Sequence, residues 1–430
     1  MPSPTATVRE KRRSGAELRK SEGSGRTHRH ANIRSVLALT RKRDTVSVAD
    51  LSHSTRLSKT TVKKTLDLLA AMRLVISAGK GASTEEGGKR PELYRFNNAY
   101  GYVISVHVTP DAVLAVTTDL HGDITYYRKT TVGSDRSLEA ILGQITEDVR
   151  SFHALKAASG EKLIALAVAL PGLADSARGI SIYSPHYPSW GRDVAFAQLL
   201  RARLGFRDEV PVYLDNVNRW QALAERDKGV ANGVTNFLVV DMLDEGLGAG
   251  IVTHGELMRG AQALSGEIGH MIVNPVDGAL CICGSHGCFE AMVSMKRIRD
   301  LARAARDRGV ASELFERAPK GEASLDDICE LARRGDRLCT ELLDDVARWF
   351  EVGVGNVIMV NDPELVVIQG QVVKAGEIFL RRLRERMQRI GLPDVEKKVH
   401  IEYSRLGEER GVLGGAAFAL ADFFARRLRF

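Results

Sequence analysis

Three of the chain's five cysteines, Cys281, Cys283 and Cys288, fall within eight positions, and His270 stands eleven positions before the first of them. They lie in the stretch Gly266 to Glu290, GEIGHMIVNPVDGALCICGSHGCFE. Thiolate sulfur and imidazole nitrogen are the ligands Zn²⁺ prefers, and four of them in a closed tetrahedron leave no position for water. His270, Cys281, Cys283 and Cys288 therefore read as one structural zinc site. Gly284 and Gly287 let the chain turn sharply enough for Cys288 to reach a metal that Cys283 holds. The competing reading of these cysteines is a set of buried or redox thiols. Cys329 and Cys339 are left over as buried thiols.

GEIGH followed by CxCGxxGCxE resembles the zinc signature of the ROK family, named for repressor, open reading frame and kinase. Its members are sugar kinases or transcription factors on one actin-like fold, and the resemblance runs from about Asn98 to the end of the chain. It implies an α/β fold of two lobes with a ligand between them. In the family the Glu of GExGH, the zinc-bound His and the Glu after the last Cys face a sugar, which assigns that role here to Glu267, His270 and Glu290. Carboxylates suit neighbouring hydroxyls because each oxygen accepts two hydrogen bonds. The zinc would fix the loop that presents them.

Net charge is +7, and its distribution says more than its sum. Residues 1–96 hold 21 Lys and Arg against 9 Asp and Glu, while the remainder holds 40 against 45. A basic N-terminal quarter on an acidic body points to a polyanion partner, nucleic acid first. Residues 1–30 are rich in Ser, Gly, Arg and Lys, too poor in apolar groups to offset chain entropy, and are expected as a disordered basic tail. From Ala31 the apolar spacing is helical, with Ile33, Val36, Leu37 and Leu39 on one face. A basic turn, Arg41 to Asp44, is expected next, then Ser47 capping a short helix and Ser58 capping a second. Two short helices joined by a tight turn form a helix-turn-helix. In it Val62, Leu66 and Leu69 pack inward, while Ser58, Lys59, Thr60, Thr61, Lys63 and Lys64 meet double-stranded DNA. An ordinary amphipathic hairpin is the plain alternative. Two strands follow, Leu74 to Ile76 and Leu93 to Phe96, around a basic loop whose Gly88-Lys89-Arg90-Pro91 resembles the wing of ROK repressors. That resemblance implies minor-groove or phosphate contact by Lys89 and Arg90. The expected division is a tail over 1–30, a winged helix-turn-helix over 31–97, and a sensing domain over 98–430.

In ROK kinases a DxGGT turn cradles ATP phosphates. The matching positions here are His107, Thr109, Pro110 and Asp111, so proline removes a donor and a carboxylate repels phosphate. The kinases' general base falls at Val217 or, shifted by one, at Asn216, neither of which accepts a proton usefully. Asp215 and Asn216 remain as groups to hold a sugar, and His186 stands where the family commonly has a sugar-binding Asn. The Gly-rich Gly246 to Gly250 is explained by tight turning alone. No apolar run reaches membrane-spanning length and the start lacks an apolar signal segment, so a cytoplasmic protein without a membrane partner is expected. These features together imply a sugar-controlled DNA-binding regulator, a repressor by resemblance and without kinase activity, acting as a homodimer or higher homo-oligomer. The alternatives are an active sugar kinase with an added DNA-binding domain and a regulator that answers to a protein.

Overall fold

The computed structural model describes residues 29–82, 90–206, 209–243, 246–388 and 399–427. Nearly all of the expected tail lies outside the described residues. Helix α1 spans residues 29–42 and buries Ile33, Val36 and Leu37. It continues into the expected basic turn as far as residue 42, and Arg41 in its last turn points into the body of the protein rather than toward solvent. Its guanidinium lies 4.6 Å from the centroid of the Phe424 ring and donates to the Leu120 carbonyl at 3.1 Å. Strand β1 (Val46–Ser47) leads into α2 (Val48–Thr55) through a capping box. Ser47 Oγ accepts from the Asp50 amide at 3.2 Å, and the Asp50 carboxylate accepts from the Ser47 amide at 2.9 Å. Arg56 in the left-handed region makes the turn, and Ser58 Oγ caps α3 (Lys59–Ala71) by accepting from the Thr61 amide. Strands β2 (Val75–Lys80) and β3 (Glu92–Phe96) complete an antiparallel sheet in the order β1-β3-β2. Three helices against this small sheet are a winged helix-turn-helix.

The rest is an α/β body in two lobes with the same topology. The first lobe holds β4 (Gly101–Val108), β5 (Ala112–Thr118), β6 (Ile124–Thr131), α4 (Leu138–Ala157), β7 (Lys162–Leu170), a side hairpin β8 (Leu173–Asp175) and β9 (Ile180–Tyr183), α5 (Phe196–Leu204), β10 (Val212–Asn216) and α6 (Val217–Lys228). The second holds β11 (Phe237–Leu243), β12 (Gly246–Thr253), β13 (Glu256–Leu257), α7 (Phe289–Val293), α8 (Met295–Asp307), α9 (Leu314–Arg317), α10 (Leu325–Arg333), α11 (Arg337–Asn361), β14 (Leu365–Gly370), α12 (Gly376–Met387) and β15 (His400–Tyr403), after which α13 (Arg410–Arg427) returns to pack on the sheet of the first lobe. The sheets run β6-β5-β4-β7-β10 and β13-β12-β11-β14-β15. In each, the first three strands are antiparallel neighbours and the last two join in parallel.

Alternation along the strands decides what each lobe buries. Tyr102, Ile104, Val106 and Val108 of β4 face α4 and α5, whereas Val103 packs toward α6 and α13. In β11, Leu238, Val240 and Met242 join the large core with α7 to α12, and Phe237 and Val239 pack against Ala222 of α6. Helices α6 and α13 thus form a central layer between the sheets. They cross closely because Gly414 and Gly415 leave room: a Cβ on Gly414 would lie 1.7 Å from the Trp220 carbonyl oxygen. Gly248 and Gly250, expected to serve only turning, instead let β12 lie directly on α6, where a Cβ on Gly248 would meet Asn218 at 1.9 Å.

Candidate functional site

His270, Cys281, Cys283 and Cys288 bring their ligand atoms within 4.8 Å of one another. His270 sits in a single helical turn after Glu267, and Cys288 begins α7. Gly284 and Gly287 adopt φ of 88° and 74°, the left-handed region that Gly tolerates. Cys281 Sγ lies 3.7 Å from His270 Nδ1, and Cys283 Sγ lies 3.6 Å from Cys288 Sγ. A tetrahedral Zn²⁺ with bonds near 2.3 Å to sulfur and 2.0 Å to nitrogen spaces its ligands by roughly 3.5 to 3.8 Å, which these two pairs match, and all four ligand atoms lie close enough together to hold one ion. Burial first, then the neighbouring thiols, push Cys288 up to about 12.

Between the lobes is a cleft of about 610 Å³, lined among others by His107, Thr109, Pro110, Asp111, His186, Val217, Gln221, Asp241 and Arg410. That volume is ordinary for a small-molecule site. The turn from β4 to β5 forms one wall. Thr109 Oγ1 accepts from the amides of Asp111 at 3.3 Å and Ala112 at 2.9 Å, and Pro110 has no N–H. Every amide from Pro110 to Ala112 is therefore missing or occupied. Tyr187 donates to the Thr109 carbonyl at 2.6 Å, which holds the His186 loop against this turn.

The expected ligand residues do not all meet in this cleft. His186 lines it and is half-buried. Asp215, expected to hold a sugar, is fully buried with its oxygens engaged: Oδ1 accepts from the Asn216 amide and from Arg219 Nη1 at 2.9 Å, and Oδ2 accepts from Arg259 Nε at 3.0 Å. Arg219 also donates to the carbonyls of Ala174, Ala263 and Ser265, tying α6 to β8 and to the segment before Glu267. Asn216 caps α6, its Oδ1 accepting from the Asn218 amide at 2.8 Å, while its Nδ2 donates to the Gly172 carbonyl at 2.8 Å. Val217, the other position for a base, is a cleft-lining apolar residue. Glu290 accepts from the Leu247 amide at 2.9 Å, and Glu267 is half-buried, its carboxyl raised by burial first, with His270 and Arg219 pulling it down.

On the N-terminal face, Val62, Leu66 and Leu69 are buried, and Ser58, Lys59, Thr60 and Lys64 are exposed. Thr61 is half-buried under the cap. Lys63 is not free: it bonds Asp67 at 2.8 Å and the Tyr94 hydroxyl at 2.7 Å, tying α3 to β3. Arg90 is exposed at the foot of β3, and Lys89 lies outside the described residues.

The profile described as the ROK family matches residues 103–422. The chain belongs to the ROK family. Among its ROK relatives, the xylose repressor of Caldicellulosiruptor bescii is 27% identical over 385 residues, covering 88% of this chain and 93% of the repressor. The glucokinase of Thermotoga maritima is 31% identical over 280 residues, 65% of this chain and 84% of the kinase. A crystal structure of a ROK family transcriptional regulator, a homologue of the Escherichia coli Mlc protein, superposes with a TM-score of 0.77 at 26% identity, covering 93% of this chain and 98% of that one. At 93% of the chain the likeness to the regulator takes in most of the N-terminal helices, whereas the kinase likeness covers 65% of the chain. Within this ROK framework Arg219, Asp241 and Arg410 are the site residues that sequence reasoning missed. The available signal for Asp241 was a lone carboxylate in the otherwise apolar run Phe237 to Leu243.

Proposed function

We propose that this protein is a sugar-responsive DNA-binding repressor whose kinase-like body senses without phosphorylating. The observation that carries this reading is the β4–β5 turn, where phosphate oxygens would find no free backbone donor. The base position adds support. Asn216 has both ends of its amide engaged and Val217 is apolar. The winged helix-turn-helix supplies the DNA-reading element, with exposed Lys59 and Lys64 toward phosphates and Thr60 at the start of α3 toward base edges. A sugar closing the cleft shifts the lobes, and operator affinity changes by linkage. Among the described residues no helix is long and apolar enough to cross a membrane.

His270, Cys281, Cys283 and Cys288 would hold one Zn²⁺, which supplies a rigid cross-link with no open coordination position. Glu267 and Glu290 flank that cross-link and are offered to the sugar. Two copies of the chain would place two winged helices on one operator.

Gel retardation on candidate operator DNA, with and without D-xylose or D-glucose, tests the reading. Retardation that a sugar changes is the expected result. The glucokinase likeness favours a second reading, an active kinase. A coupled assay with ATP separates the two, since turnover on the order of 1 to 100 per second is ordinary for a kinase and would overturn the first.

A further inference from the structure

We infer that the floor of the cleft, formed by Asp241, His107 and Arg410, reads the hydroxyls of the effector, and that the effector is an uncharged polyol or sugar rather than a phosphate ester. This rests on the proposal that a sugar binds between the lobes, and it names the residues and the charge of what is bound.

Asp241 lies near the end of β11 and His107 near the end of β4, equivalent strands of the two lobes, so the duplicated topology brings them to the same crevice. Open α/β sheets bind ligands at this location, beyond the carboxyl ends of the strands. Asp241 is 2% exposed, yet neither of its carboxylate oxygens has a hydrogen-bond partner. Gln221 and Gln369 approach it, but the Gln369 amide donates to the Gln221 carbonyl oxygen at 2.5 Å. Arg410 stands 3.7 Å away, beyond hydrogen-bond length, and its Nε is also unpartnered. His107 is 9% exposed, and its Nδ1 has no partner. A Cβ on Gly411 would lie 2.6 Å from that nitrogen, so the glycine lets the imidazole rest on the first turn of α13.

Buried polar groups are normally satisfied, and three unsatisfied ones lining the same cleft call for a ligand. Their chemistry selects it. A carboxylate with two vacant oxygens accepts from two adjacent hydroxyls, a guanidinium Nε–H donates to a hydroxyl or ring oxygen, and neutral imidazole fits one further hydroxyl. Charge disfavours phosphate. Each cleft cation has its own carboxylate: Arg410 has Asp241, Arg136 has Asp111 at 3.7 Å, and Lys129 has Glu408. A phosphate ester would meet Asp241 with no cation to spare. None of the three residues lies in the zinc-loop signature.

The test is ligand-dependent thermal shift and calorimetric titration of the full chain with D-xylose, D-glucose and D-glucose 6-phosphate. At least one uncharged sugar should bind the wild type, and glucose 6-phosphate at least tenfold more weakly than glucose. Asp241→Asn should weaken the sugar that binds by tenfold or more, with an unchanged far-UV circular dichroism spectrum. Should Asp241→Asn not fold, Arg410→Lys keeps the charge and removes the Nε donor, and a tenfold loss is expected there too. Wild-type affinity in whichever of these variants folds, or tighter binding of glucose 6-phosphate than of glucose, overturns the inference and leaves sugar sensing intact. A wild type that answers to none of the three probes overturns sugar sensing and the inference together.

Discussion

At Asp215 two arginines converge on one carboxylate where no water reaches. Removing one partner of a buried ion pair leaves the other charge uncompensated, typically at about 3 to 5 kcal/mol. Asp215→Ala should therefore lower the unfolding free energy by about 3 to 5 kcal/mol in urea denaturation, because Arg219 would keep its burial and lose its counter-ion. A loss under about 1 kcal/mol would show that Asp215 is instead available to a ligand. Cys283→Ser should abolish bound Zn²⁺, measured by elemental analysis against an expected one ion per wild-type chain. Because the thiol of Cys288 is raised, metal binding must displace protons, and apparent metal affinity should fall as pH falls. His107 titrates in the opposite sense to a paired histidine. Burial first, and Arg410 second, depress it to about 4 from 6.5, so the unfolded chain takes up this proton before the folded one does. Its contribution to stability is intact above about pH 6.5 and is lost as pH falls toward 4. His107→Gln should flatten that part of the stability profile.

Among the elements, α2 and α3 were the most legible, since their caps are short-range chemistry: a serine with its partner amide three positions on is visible in any sequence. The His and Cys cluster was legible for a similar reason, its three cysteines falling within eight positions and His270 eleven positions before them. Asp241 and Arg410 were not, because they meet only across a long stretch of chain, and Arg219, although four positions from Asp215, gains its other partners at Ala174, Ala263 and Ser265. Asp215 was recognised as important, but its engagement by Arg259 depends on a packing that no local pattern reveals. The expectation for α3 also changes in detail. Lys59, Lys63 and Lys64 are all exposed, and Lys63 in addition bonds Asp67 and the Tyr94 hydroxyl. Charge reversal at Lys59 and Lys64 together should abolish operator retardation at physiological salt and leave sugar binding unchanged. Retardation equal to wild type would remove α3 from the DNA interface.

Across the whole molecule, α13 links the two functions. Its first residue, Arg410, lines the cleft, and near its other end Phe424 holds Arg41 of α1 while Arg427 donates to Tyr100. Phe424→Ala should leave sugar affinity within about twofold of wild type and weaken the effect of sugar on DNA retardation. An undiminished response would place the coupling elsewhere. Operator binding itself should fall steeply with added salt, as expected when lysine and arginine release counterions from DNA. One contiguous core runs from Ile33 and Leu69 through Phe96 and Tyr100 to Trp220 and Leu420. The DNA-reading segment is consequently not an exchangeable module. A chimera that grafts these N-terminal helices onto another regulator would carry a cut hydrophobic surface unless it brought its own α13, so new operator specificity is more readily obtained by rewriting the outward positions of α3 than by swapping the whole segment.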